Sequence, residues 1–253
     1  MVGFIRKIIL LISVFSLALL TYFIIPSSAA NMTLSRSVTL SGSSTVMPLA
    51  EAAAEEFNLR QKDYVVTVSA GGTGAGILGI AERKNDIAMA SRRITEEERQ
   101  GFNGTFQEFL VGMDGISIAV SDEIFQSGVK SLSSRQLKEI YSGNISNWKD
   151  VGGPDRPIYV ISREEGSGTR DDFNELIMGS SDAETPGVKS VEMGAAAVKT
   201  AISGSDKAIG YLGFNYLGGG VTGIAFNRVQ PTYENIKLGL YELHRRLYFY
   251  TYG

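Results

Sequence analysis

The chain contains no cysteine and a single histidine, His244. The first absence excludes disulfides, zinc–thiolate centres and lipid attachment through a cysteine. The second argues against a metal site built from a cluster of histidines. Nor is there an excess of positive charge. With 24 Lys+Arg against 27 Asp+Glu, the formal charge is −3, the wrong sign for a nucleic-acid-binding domain. No G-x-S-x-G elbow and no P-loop lysine occur, and no base–nucleophile pair is visible. The composition therefore points away from an enzyme, with no catalytic residue, metal or cofactor expected. Internal repeats and low-complexity blocks are also missing.

What is present begins with a long apolar run. Arg6 and Lys7 precede Ile8–Ile25, and Ser28-Ala29-Ala30 offers small residues for cleavage. This reads as a secretory signal over residues 1–30, with an uncleaved membrane anchor as the alternative. A buried core helix fits poorly, since the run has no polar face. Cleavage after Ala30 leaves 223 residues and removes two cations and no anion, moving the formal charge from −3 to −5. An exported protein is expected, periplasmic or on the outer face of the membrane. Asn31, Asn103 and Asn144 lie in glycosylation sequons. The remaining length carries a core for one large or two small domains.

Strand-like and helix-like segments alternate. Tyr64–Ser69, Asp86–Ala90, Gly115–Val120, Pro157–Ser162 and Ala208–Leu212 read as strands. Val46, Leu49, Ala53 and Phe57 share one face of a helix, and Thr169–Ile177 and Val191–Ile202 are helix-compatible. Thr95 with Glu98, and Ser133 with Gln136, form capping-box patterns. Gly152-Gly153-Pro154 and Leu217–Gly220 are breaks. Such alternation predicts an α/β fold, whose ligand sites gather at strand-to-helix junctions.

Three of those junctions carry Gly/Ser/Thr turns: Ser41–Thr45, Gly71–Gly76 and Gly166–Arg170. Each can present backbone N–H groups and hydroxyls at the positive end of a helix, and two have an arginine nearby. Together they suggest a site for a small oxyanion. Taken alone, Ser44 and Thr45 are explained as helix caps. Gly74, Gly76 and Gly79 match a dinucleotide fingerprint with Glu96–Glu98 downstream, but those acids sit at a helix start rather than a strand end, so that reading is weak. The third turn is the strongest candidate. Arg163 brings a fixed cation, and Ser167, Gly168 and Thr169 bring donors. Ser91-Arg92-Arg93 ends a further strand; Arg92 is placed towards the anion and Arg93 in solvent.

On these residues the chain resembles the phosphate-binding proteins of high-affinity phosphate ABC importers. Ser41–Val46, Gly71–Ile77 and Asp86–Arg92 match the family's loops, and Gly112–Ile116 matches its first crossover. The most distinctive stretches are Leu132–Gly153, with Ile140–Trp148, and Arg163–Arg170. The resemblance implies a two-lobed, type II periplasmic-binding-protein-like fold, each lobe a mixed sheet flanked by helices, closing over one phosphate and serving permease subunits. It implies lobe one over 31–115 plus 215–253 and lobe two over 116–214. Ser44, Thr45, Thr73, Gly74 and Ser91 would serve the ligand from lobe one; Arg163, Ser167, Gly168 and Thr169 from lobe two. Trp148 looks structural. Some members place an aspartate where this chain has Arg92, to accept the proton of hydrogen phosphate and repel sulfate; Asp114 is the candidate replacement. Similar proteins continue past Leu247–Gly253 with a further helix, so a fragment, a truncated product or a looser lobe one is expected. Other tetrahedral oxyanions (sulfate, molybdate, tungstate) and a surface sensor or adhesion role on the same fold are the alternatives.

Overall fold

The computed structural model describes residues 35–253; the expected export signal lies outside the described residues. None of the described helices is long and apolar enough to cross a membrane.

The chain opens with strand–turn–helix units: β1 (Arg36–Gly42), α1 (Met47–Arg60), β2 (Tyr64–Ala70), α2 (Thr73–Ala81) and β3 (Ile87–Ala90). β1 pairs in parallel with both β2 and β3. The close approach of β1 to β3 depends on Gly42. Its φ is +138°, and a Cβ there would stand 2.2 Å from the Met89 carbonyl oxygen, so only glycine fits. α3 (Glu96–Gln100) starts at the expected Thr95/Glu98 capping box.

β4 (Phe106–Ser121) is the spine of the molecule. Its first part, to Gly115, pairs antiparallel with the last strand, β11 (His244–Tyr252). From Ile116 onwards it pairs with β8 (Ala208–Gly213) and β9 (Val221–Gly223). Between these lie α4 (Asp122–Gln126), β5 (Ser131–Leu132), α5 (Ser134–Tyr141), β6 (Tyr159–Arg163), α6 (Gly168–Phe173), β7 (Val188–Glu192) and α7 (Ala195–Ser203). β10 (Ala225–Phe226), which pairs with β5, and α8 (Tyr233–Lys237) complete the chain. The strand order is β2-β1-β3-β11-β4-β8-β6-β7, with β9 on β4, so each half of the sheet mixes parallel and antiparallel pairs.

Both halves are covered on both faces, as strand alternation requires. In the first half, Ala88 and Ala90 face Ile77, Ile80, Phe106 and Tyr250, while Met89 between them faces Leu40, Val46 and Ala50. In the second, Ile118 and Val120 face Leu137, Trp148 and Phe173, while Ala119 faces Ile161, Val198 and Ile202. Trp148 is fully buried, and its Nε1 donates to the Lys207 carbonyl at 2.9 Å.

All five expected strands form, and three expectations need correction. On α1 the buried row is Val46, Ala50 and Ala54, whereas Leu49, Ala53 and Phe57 are exposed; small residues four apart let the helix sit close on the sheet. Val191 and Glu192 end β7, and the Ala-rich helix starts only at Ala195. The segment expected to return to lobe one at residue 215 stays with the second half. Ile224, Phe226, Ile236, Tyr241 and Leu243 pack in the core around Trp148, and only β11 crosses back.

Candidate functional site

The three Gly/Ser/Thr turns meet. The loop after β1 carries Ser43, Ser44 and Thr45. The Ser43 amide donates to the Met89 carbonyl, and the amides of Gly71 and Gly72 both donate to the Gly42 carbonyl, which binds the first two turns together. Thr73 opens α2, and Ser91 follows β3; their hydroxyls lie 3.3 Å apart, and the Ser91 amide donates to Thr73 Oγ1. From the other half of the sheet come Arg163, at the end of β6, and Ser167, the N-cap of α6, whose hydroxyl accepts from the Arg170 amide. The junction is direct. The Gly74 amide donates to the Gly166 carbonyl at 3.0 Å, and Thr45 Oγ1 lies 3.2 Å from Thr169 Oγ1.

Ser44, Thr45, Thr73, Ser91, Arg163, Ser167 and Thr169 are all buried. Ser44 Oγ accepts from Arg163 Nη2 at 3.3 Å and from the Ala195 amide at the start of α7 at 3.2 Å. With both lone pairs engaged, its own proton is left to donate. Arg163 holds Glu164 through Nε and Nη2, each at 2.8 Å. Burial pushes the Glu164 carboxyl up, but Arg163 and the Gly194 amide outweigh it and hold that carboxyl below its ordinary value. The remaining nitrogen, Arg163 Nη1, is buried and has no hydrogen-bond partner among the described residues. An orphaned guanidinium nitrogen is costly, and the neighbouring Nη2 already meets the Ser44 hydroxyl, whose own proton is left to donate. The arrangement offers donors to an anion and little to a cation.

Comparison with known proteins gives the same direction. The PBP superfamily domain matches residues 27–253. The chain is 34% identical over 221 residues to the phosphate-binding protein PstS of Bacillus subtilis, covering 87% of this chain and 71% of that one. It belongs to this family of phosphate-binding proteins. A second relative, the phosphate-binding protein PstS of Staphylococcus epidermidis, is 31% identical over 223 residues, covering 83% of this chain and 67% of its own length. Among solved structures, a phosphate ABC transporter substrate-binding protein with bound phosphate from Clostridium perfringens superposes with a TM-score of 0.78 at 35% identity, covering 85% of this chain and 86% of that one. An ABC-type phosphate transport receptor from Vibrio cholerae gives 0.67 at 33% identity, covering 85% and 87%. The fold is thus the two-lobed, type II periplasmic-binding-protein-like α/β fold, as expected from the sequence.

Two of the expected ligand residues have other partners. Arg92 does not point a free fork at the site. Its Nε bonds Asp171 at 2.7 Å, and its two terminal nitrogens bond Glu98 at 2.8 and 2.9 Å. Burial works against its charge, but the two carboxylates prevail and raise its pKa. Arg92 therefore ties the loop after β3 to α6. Asp114 is likewise occupied: Oδ2 accepts from Arg245 at 2.9 and 3.2 Å, and Oδ1 accepts from the Phe214 amide at 3.1 Å. Gly74 spends its amide on Gly166. Arg93 is exposed and pairs with Glu108.

The residue that sequence reasoning missed is Arg245. It stands in a Tyr-rich stretch that reads as a tail, yet β11 is a central strand and the Arg245 side chain is only 4% exposed. The available signal was alternation: Arg245, Leu247 and Tyr248 are buried, and Arg246 is exposed. A cavity of about 600 Å³ shares Thr45 with the site and is lined mostly by apolar residues such as Pro48, Leu49, Met113, Phe214 and Leu247. Its walls are too apolar to hold an oxyanion.

Proposed function

We infer that this protein captures inorganic phosphate between its two lobes and delivers it to the membrane subunits of an ABC importer. The observation that carries this reading is the buried, unpartnered Nη1 of Arg163, on a guanidinium whose Nη2 meets Ser44 Oγ, at the place where the turns bearing Thr45, Thr73, Ser91 and Thr169 converge. The names and bound phosphate of the relatives support it. In this reading lobe one comprises roughly 36–115 with β11, lobe two comprises roughly 116–243, and β4 and β11 form the connection on which they close. The protein acts outside the cytoplasm, held there by export through its N-terminal segment, as a carrier with no chemical step of its own.

The physical account is capture of a dehydrated anion. Phosphate entering a buried site loses its water, and directed donors must replace that water. A micromolar site requires about 8 kcal/mol. Each neutral hydrogen bond contributes about 1 kcal/mol net and each charged one about 1.5–3 kcal/mol. Two N–H groups on Nη1 and four or five hydroxyls supply that amount. Because the donors come from both lobes, the anion stabilises the closed shape, which a permease can then recognise.

Isothermal titration with phosphate, sulfate and molybdate tests the reading. Micromolar or tighter binding of phosphate with sulfate far weaker supports it. Equal affinity for all three, or preference for molybdate, assigns the site to another oxyanion. A folded protein that binds none of them excludes the anion-carrier role.

A further inference from the structure

We propose that Arg245 is a positioning residue of the anion site, acting through the hydroxyls of Thr45 and Thr169. The proposal rests on the anion-binding reading above and assigns this residue a part in it.

Three parts of the chain meet at Arg245. It stands on β11 directly opposite Asp114 of β4. Its Nη2 donates to Thr45 Oγ1 at 3.1 Å, from the loop after β1, and its Nη1 donates to Thr169 Oγ1 at 2.9 Å, from α6. Asp114 Oδ2 binds Nε and Nη2 on one side. On the other, Asp172 Oδ2 stands 3.7 Å from Nη1, near enough for ion pairing and too far for a hydrogen bond. One guanidinium thus holds a hydroxyl from each lobe at the same time.

A buried arginine with two carboxylates is a poor way to fill space. Desolvating the charges offsets most of what their attraction gives, and apolar side chains of similar volume commonly serve stability better. The geometry shows what the cation does instead. A hydroxyl has one proton and two lone pairs. Arg245 occupies one lone pair on each threonine, and its positive charge turns both hydroxyl protons away from itself. The Thr45 and Thr169 oxygens lie 3.2 Å apart, so without an anion one proton is shared between them. With an anion in front, both protons can turn outward. Arg245 therefore converts two ambivalent hydroxyls into two donors. Its bond to Thr169 also spans the lobes, so the donors are aligned only when the lobes are together. A lysine can replace it only in part, because a single ammonium lacks the fork that reaches both oxygens and Asp114.

The test is a double-mutant cycle read by phosphate calorimetry. Arg245→Met is expected to weaken phosphate binding about 10- to 100-fold in the wild-type background. In a Thr45→Val/Thr169→Val background, where the hydroxyls are already gone, the same substitution is expected to cost less than about threefold. Arg245→Lys is expected to fall between Met and wild type, and it replaces Met in the cycle if Arg245→Met does not fold. A residue that only supports the fold gives a different pattern: a lower melting temperature with the same affinity loss in both backgrounds, or no affinity loss in either. Either result overturns the proposal. If the wild-type protein itself does not bind phosphate, the anion-carrier reading fails first. If it binds, and Arg163→Ala abolishes binding while the Arg245 cycle is additive, that reading stands and only the positioning role falls.

Discussion

Gly168→Ala adds one methyl group at the seam between the lobes. Gly168 is the first residue of α6 and does not occupy the left-handed region, so alanine suits its backbone. The obstacle lies across the seam: a Cβ there would stand 2.6 Å from Thr73 Oγ1 and 2.7 Å from Ser91 Oγ. Both distances are roughly 1 Å short of van der Waals contact. Neither hydroxyl can simply rotate aside. The two lie 3.3 Å from each other, and Thr73 Oγ1 also receives the Ser91 amide. Closing the lobes must therefore break that arrangement or leave the seam ajar. Overpacking by one methyl group costs about 1–3 kcal/mol. The cost arises only when α6 meets Thr73 and Ser91, so it appears as weaker binding, about 5- to 150-fold in Kd at 1.4 kcal/mol per decade. Calorimetry reads the Kd directly. A thermal melt gives a second measure, because ligand protection of the folded state shrinks by the same free energy at saturating phosphate. A Kd within twofold of wild type would refute the claim that closure brings these three residues together.

Arg163→Ala removes the two N–H groups of Nη1 from the site, and two charged hydrogen bonds are worth about 3–6 kcal/mol. Phosphate affinity should fall at least about 100-fold while the circular dichroism spectrum is kept; an unchanged titration would dismiss Arg163 as a ligand. Asp172 gives a pH-dependent prediction. Burial pushes its carboxyl up to about 6, against the pull of Arg245. Between its ordinary value and about 6 the folded protein keeps a proton that the unfolded chain has released. Stability is therefore lost as pH rises through that window, by about 3 kcal/mol once the pH exceeds 6. Asp172→Asn should raise the urea midpoint at pH 8 and leave it unchanged near pH 3.5; equal effects at both values would contradict the shift. Trp148→Phe removes the Nε1 bond to Lys207 and opens a small void. It should lower stability by about 1–3 kcal/mol and leave phosphate affinity intact, so a large change in Kd would place Trp148 nearer the ligand than its packing suggests.

The sequence by itself determined the local events. Alternation placed the strand at Tyr64–Ser69, a short apolar run placed the one at Ala208–Leu212, and side-chain chemistry three residues apart placed the caps at Thr95/Glu98 and Ser133/Gln136. These depend on neighbours along the chain, so the chain reveals them. The three glycine-bearing turns also pointed to an anion before any fold was known, because one such turn is an ordinary helix start whereas three together, two with an arginine nearby, supply donors in excess of what capping needs. Tertiary structure decided what each long side chain does. Arg92 and Arg163 both stand at the ends of short strands and both are placed towards the anion by the sequence, yet Arg92 meets Glu98 and Asp171 while Arg163 keeps one nitrogen free. Asp114 looked available until β11 brought Arg245 against it from 131 residues away. The apolar residues after 215 stay with the second half of the sheet as far as Leu243, because Tyr241 and Leu243 find their apolar partners in the cluster that holds Trp148. Charged groups are neutralised, and apolar ones buried, by whatever folding brings beside them. Those partners lie far away in sequence, and their identity is set only when the chain closes on itself.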